Sequence, residues 1–455
     1  MTSTPTNTSA NRDRASPAPS SRTSAETADA PTTSIPTAYV SDKADDSSKL
    51  RVFLSILRKF IGVADIASVR FSLPAQLLEP TPNLEYWNYL DRPETFISIG
   101  DSDDALGRML AVLRFWFTKD LKYVKGKPCK PYNSALGEFF RCNWEVEDSS
   151  PAIIGNGPKV SATGEVSTEA PKLVRVSYIT EQTSHHPPVS AFWVDCPVKG
   201  ISARGFDQLS AKFTGTSVRV TPGAHNLGIF INLQHRDNEE YRLTHPVAHL
   251  AGMLRGSLSV TVADTCYITC PKSRIKVILH YLEEGWLGKA QNRVLGVIFQ
   301  YDPDNDSMAR IKDVPEKDVL ARIDGCWQDQ VRYTMKDTKE SQLLIDLNPL
   351  WPIPKIIPPE TQQLTNESRR FWHGVTEAIL TKQYGQATKI KQELEERQRE
   401  KATSRKEQGS EWTPRFFTEA LMPNGKPELT EDGIRALERL QAGDYHLEES
   451  AILGA

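Results

Sequence analysis

Between residues 173 and 333 the chain is a succession of short β-branched runs, and no other stretch constrains the fold as strongly. Runs at 172–180, 217–220, 228–233, 257–262, 274–281 and 294–301 are too short for ordinary helices and rich in Val, Ile and Thr. Turn signals at Pro222-Gly223, Asp237-Asn238 and 302–306 separate them, and 285–288 is a further break. The pattern predicts meandering antiparallel β-structure that ends in a barrel or a sandwich.

The flanks differ from this centre. Of the first 40 residues, 28 are Ser, Thr, Pro or Ala, too few apolar groups to offset chain entropy, so residues 1–45 are expected to form a disordered arm. From Ser48 onward, Leu50, Phe53, Leu54, Leu57, Phe60 and Ile61 recur at helical spacing until Gly62, with Arg51, Ser55, Arg58 and Lys59 on the other side. This periodicity fits a helix packed on its own domain, and equally one that lies on a membrane or covers a cavity. Residues 74–101 read as loops with two or three helical turns, and 103–123 as an apolar helix carrying Trp and Phe. After the Pro-rich 348–359, residues 361–408 predict a long charged helix. The tail from 409 is weakly patterned.

Several function classes are excluded or weakened. Lys+Arg 55 against Asp+Glu 58 leaves a formal charge of −3, without the cationic surplus of a phosphate-backbone reader, so nucleic acid is not an expected partner. Six cysteines scattered over 455 residues, with no apolar leader, argue for a reducing compartment. The longest apolar stretch, 247–263, is interrupted by Arg255, so no membrane span is expected. Nucleotide-binding and hydrolase signatures are lacking, Cys266 and Cys270 have no second pair to complete a zinc site, and Pro246 denies His245 and His249 a shared helix face. Neither a metal nor another cofactor is expected, and the chain does not read as an enzyme.

The densest chemistry is Glu181-Gln182-Thr183-Ser184-His185-His186-Pro187-Pro188. Two adjacent imidazoles supply donors while two prolines restrict the backbone, which suits an anionic headgroup. A metal site is the rival, but adjacent histidines in an extended segment point to opposite sides. A rigid turn with incidental histidines is the third reading.

This octapeptide resembles the signature of the oxysterol-binding-protein-related lipid-transfer family. Lys130-Pro131-Tyr132-Asn133 with Leu136-Gly137-Glu138-Phe139 resembles a second family segment, and 391–399 a Lys-x-x-x-Glu-x-x-x-Arg element. The likeness runs from about residue 50 to residue 405 and is that of a short fungal-type member.

The resemblance implies a mainly β fold with flanking helices. A nearly closed antiparallel barrel surrounds a hydrophobic tunnel, with an amphipathic lid at 48–62, a barrel core at about 127–335, C-terminal helices at 360–408, and an extension at 409–455 outside the likeness. It implies that Lys130, Asn133, His185, His186, Lys391 and Arg399 hold the headgroup of phosphatidylinositol 4-phosphate, with Glu395 positioning its basic neighbours. Lysine, arginine and histidine can each make charge-assisted bonds to phosphate. The implied activity is exchange of that lipid for a sterol or phosphatidylserine between membranes, with a lipid-regulated scaffold as the alternative. A cytoplasmic protein in transient peripheral contact with endoplasmic-reticulum, Golgi or plasma-membrane surfaces follows. Residues 415–420 faintly echo a motif that binds endoplasmic-reticulum receptors.

Overall fold

The computed structural model describes residues 46–66, 75–126, 130–148, 153, 173–252, 258–283 and 291–449, with backbone alone at 46–50 and 76. The arm at 1–45, Cys129 and the side chain of Leu50 lie outside the described residues. Helices α1 (Asp46–Leu57), α2 (Asn83–Tyr86), α3 (Pro93–Ile97), α4 (Ala105–Thr118) and α5 (Lys122–Lys125) come first. The strands are β1 (Phe139–Glu147), β2 (Leu173–His185), β3 (Pro188–Cys196), β4 (Ile201–Asp207), β5 (Leu209–Phe213), β6 (Val218–Pro222), β7 (Ile229–Leu233), β8 (Glu239–Leu243), β9 (Val247–Ala251), β10 (Ser259–Cys270), β11 (Ile275–Tyr281), β12 (Arg293–Gln300), β13 (Val319–Cys326), β14 (Gln330–Met335) and β15 (Ser341–Asp346). Helices α6 (Ser368–Leu380), α7 (Tyr384–Gln408) and α8 (Glu431–Ala442) follow.

The strands pair antiparallel in the order β1-β2-β3-β4-β7-β8-β10-β11-β12-β13-β14-β15, and β5-β6-β9 attaches to β10 through β9. The described parts of the predicted runs overlap β2, β6, β7, β10, β11 and β12.

Helix α4 is apolar on nearly every side, and a helix of that kind must be enclosed. Met109, Leu110, Val112, Leu113, Phe115, Trp116 and Phe117 are buried in one core with inward residues from β1 to β4, β7, β8 and β10 to β15. Asp104 caps the helix by accepting from Gly107 N at 2.8 Å, and Trp116 donates to Tyr281 Oη on β11 at 2.9 Å. Near its start Arg108 makes two 2.8 Å bonds to Glu239 on β8.

Strands β1 and β2 are covered on both faces, following the period of two. Phe140, Cys142, Trp144, Val174, Val176 and Tyr178 face the α4 core. Phe139 and Ile179 face a second core with Val189, Phe206, Phe416, Phe417, Leu437 and Leu447. Arg141 shares this outward face and binds Glu367 at 3.1 and 3.3 Å, while Asn143 donates to Leu440 O at 2.7 Å. The extension beyond 409 is therefore built into the outer layer.

Among the described residues no pairing joins β15 to β1, so the sheet is open where a nearly closed barrel was expected. The free edge of β1 instead meets residues 356 and 366–367, through Asn143 N to Ile356 O at 2.8 Å, its reciprocal bond at 2.7 Å, and Phe139 N to Asn366 O at 3.2 Å. Prolines at 352, 354, 358 and 359 offer no N–H to extend this contact into a ladder.

The long helix predicted over 361–408 is two helices, broken at 381–383 where Lys382 has a φ of 60°. Helix α1 buries Ile56 and Leu57, and the turn after it buries Phe60; Phe53 and Leu54 are half-buried. Ile61, expected on the apolar face, is 65% exposed, because the helix has given way to a tighter turn at Arg58–Phe60. No described helix is long and apolar enough to cross a membrane.

Candidate functional site

Lys130 and Asn133 sit at the surface on a loop whose backbone is fixed on both sides. Glu79 N donates to Lys130 O at 3.0 Å and Tyr132 N to Thr81 O at 3.2 Å. The fully buried Tyr132 ring lies 4.8 Å from that of Trp372 on α6, and its hydroxyl is 3.0 Å from Thr376 Oγ1. With the backbone held, Lys130 Nζ donates to Asn133 Oδ1 at 2.6 Å, so the two proposed headgroup ligands meet each other.

Glu138 closes this loop from beneath. Its Oε2 accepts from Ala135 N at 2.9 Å and Trp372 Nε1 at 3.0 Å, and Oε1 accepts from Ser368 Oγ at 2.6 Å. Burial pushes its pKa up to about 7 despite these donors. Gly137 has a φ of 75°, a left-handed backbone that favours glycine, and Trp412 packs over it.

The same loop is stitched to the octapeptide. Gly137 N donates to Gln182 O at 3.0 Å and Gln182 N to Glu138 O at 2.8 Å. Ser190 Oγ on β3 donates to Gln182 Oε1 at 2.8 Å, and within the octapeptide Ser184 Oγ donates to Pro187 O at 2.7 Å. His185 pairs with Pro188, so His186 and Pro187 form the tip of a hairpin rather than an extended segment. The histidines consequently do not point to opposite sides, as expected for extended backbone; both are exposed, with ring centroids 4.7 Å apart. No cluster of three or more metal-ligating side chains occurs among the described residues.

The third segment lies on α7. Lys391 is buried and pairs with Glu395 at 2.6 Å. Arg399, at the surface, binds Glu396, with Nε to Oε2 at 3.0 Å. Helix α7 packs on α6 and on the turn at Ala75–Leu77, and α1 packs on that turn as well. The Lys130 loop is thus joined to the histidine hairpin by backbone bonds, and to α7 through α6 and the 75–81 strip.

Sequence reasoning did not assign roles to Glu138, Glu181 or Trp372. Glu181 accepts from Arg415 N at 2.8 Å and Phe416 N at 2.9 Å, and burial raises its pKa to about 7. Phe416 and Phe417, the centre of the faint receptor motif, are 1% and 0% exposed, so a receptor would have to strip this segment from the sheet.

Comparison with known proteins agrees with this architecture. The Oxysterol-binding protein family profile matches residues 52–433, further than the expected limit near 405. Oxysterol-binding protein-like protein 1 of Schizosaccharomyces pombe is 42% identical, over 88% of this chain and 92% of the relative. Human oxysterol-binding protein-related protein 9 is 30% identical over 76% of this chain, which spans 44% of that longer protein. The crystal structure of the Osh1 ORD domain in complex with cholesterol superposes with a TM-score of 0.61 at 19% identity, covering 87% of this chain and 89% of that one. The Osh3 ORD of Saccharomyces cerevisiae in complex with PI(4)P gives 0.59 at 17% identity, covering 86% and 93%. With the profile spanning most of its length and a relative of this identity, the chain belongs to the oxysterol-binding protein family, whose members bind lipids and are not enzymes.

Proposed function

We propose that the protein carries one lipid at a time between membranes, exchanging a sterol or phosphatidylserine for phosphatidylinositol 4-phosphate. The observation that carries this reading is the double backbone bond between Gly137-Glu138 and Gln182, which sets the Lys130–Asn133 loop beside the His185–His186 hairpin. Lysine and histidine donors on one rim suit a phosphorylated headgroup, and no bond is made or broken. Lys391 and Arg399 complete the headgroup site from α7, with Glu395 holding Lys391. The apolar part of the lipid enters a hydrophobic tunnel enclosed by the sheet, and α1 closes over it as a lid. Such shielding is needed because each methylene exposed to water costs ~0.8 kcal/mol, which makes spontaneous desorption slow.

Action at cytosolic membrane surfaces is part of the same proposal. Mass spectrometry of lipids that co-purify with the protein tests it. Phosphatidylinositol 4-phosphate together with a sterol or phosphatidylserine is expected, in amounts near one lipid per chain. Absence of both classes would contradict the reading.

A further inference from the structure

Glu181 belongs to the octapeptide but does not resemble a ligand for phosphate, since it is an anion and is buried. It shares the outward face of β2 with Ile179, two residues away, and both oxygens are used on main-chain N–H groups of Arg415 and Phe416. Those two residues begin the segment that buries Phe416 and Phe417 against Phe139, Ile179, Val189 and Phe206. That segment is held at further points: Arg141 donates to Tyr445 O at 2.8 Å, Asn143 to Leu440 O at 2.7 Å, and Gln441 to Asp195 Oδ2 at 2.7 Å. The next residue, Gln182, carries the backbone bonds to the Lys130 loop, and the histidine hairpin follows at once. One carboxylate therefore stands where the outer layer, the loop and the hairpin converge.

We propose that Glu181 is a positioning residue of the headgroup site, and that residues 410–449 are a working part of that site through it. A carboxylate with two N–H partners fixes the end of β2 in register and height, so that the hairpin projects at a set distance from Lys130. This inference rests on the headgroup reading above.

The test compares the full chain with Glu181→Gln and Glu181→Ala. Extraction of phosphatidylinositol 4-phosphate from vesicles of phosphatidylcholine containing that lipid is measured beside hydrogen exchange of the lipid-free proteins. Glu181→Ala is expected to lose about tenfold or more in extraction, the scale of losing two charge-assisted bonds. Glu181→Gln, which keeps one accepting oxygen, is expected to fall between it and wild type. Exchange should quicken in 137–138, 181–190 and 415–417 while β11 to β13 remain protected. Extraction by Glu181→Ala within twofold of wild type would overturn the proposal, as would a loss accompanied by faster exchange throughout the sheet, which marks general destabilisation. If the wild-type protein itself fails to extract the lipid, the headgroup reading falls and takes this inference with it; failure confined to the variants' expected behaviour removes the inference alone.

Discussion

Trp372 donates its indole N–H to Glu138 at 3.0 Å, and this bond pins helix α6 to the loop that presents Lys130 and Asn133. The carboxyl group is fully buried among Trp372, Ser368 and Ala135, so removing it leaves the Ala135 and Trp372 N–H groups without an acceptor, while Ser368 Oγ keeps Phe139 O. Glu138→Ala is expected to cost about 2–4 kcal/mol in urea unfolding and to weaken headgroup binding in parallel. A variant as stable as wild type would show that α6 is held by packing alone.

Glu138→Gln should behave differently. Its carbonyl oxygen can replace Oε2, and its amide can donate to Ser368 Oγ, which in turn donates to Phe139 O at 3.2 Å. The native carboxyl has its pKa raised to about 7 from 4.5, so between those values the folded state holds a proton that the unfolded state has released. Its contribution to stability is complete below pH 4.5 and is lost as pH rises through 7, by no more than about 3 kcal/mol. Melting temperature followed from pH 4.5 to 8 should thus fall less steeply in Glu138→Gln than in wild type. Parallel curves would contradict the assignment.

The exposed histidine pair serves a ligand in this account and not the core. His185→Ala with His186→Ala is expected to leave the melting temperature within a few degrees of wild type, as surface substitutions usually do, while extraction of phosphatidylinositol 4-phosphate falls at least about tenfold. Normal extraction by the double variant would remove both residues from the site.

Leu54 and Leu57 separate two roles for α1. Leu57 is buried and Leu54 half-buried. A carboxylate at Leu54 should favour an open lid, speeding loss of bound lipid on dilution, with at most ~1 kcal/mol lost in stability because the helix end can turn it to water. Leu57→Asp should do the same with a clear fall in melting temperature. If both changes lower stability equally and lipid retention tracks unfolding, α1 is an ordinary packed helix.

Arg141 and Glu367 are a buried pair, 0% and 1% exposed in their side chains. Arg141→Met strands a carboxylate and is expected to cost about 3–5 kcal/mol, whereas adding Glu367→Leu should recover much of that loss. A double variant no better than the single one would mean that the Tyr445 contact, and not the ion pair, secures the outer layer.

Much of the sheet could be read locally because β2, β7, β11 and β12 are β-branched runs whose residues meet a core on at least one face. Strand β1 was not legible. Its Arg141 and Asn143 look like solvent residues, and their partners, Glu367 and Leu440, are more than 200 positions away. The open edge of β1 was equally hidden, since it depends on where a proline-rich segment settles. For α8 there was a usable signal that went unread: Thr430 at the cap, apolar Leu437 and Leu440 facing inward, and Gly443 at the end. The break at Lys382 had none, as no glycine or proline stands there. The three site segments were visible as motifs, but the bonds that join two of them pass through backbone atoms of Gly137, Glu138 and Gln182, which no side-chain pattern encodes.

The central claim, exchange of two lipids through one site, is tested most directly by a transfer assay between two vesicle populations. One carries phosphatidylinositol 4-phosphate and the other a sterol or phosphatidylserine, and both movements are followed at once. The account predicts that each lipid moves down its gradient, that transfer of one accelerates the other, and that the His185→Ala, His186→Ala double variant loses the coupling. Transfer of either lipid at the rate of protein-free vesicles, or uncoupled movement unaffected by the histidine changes, would contradict it.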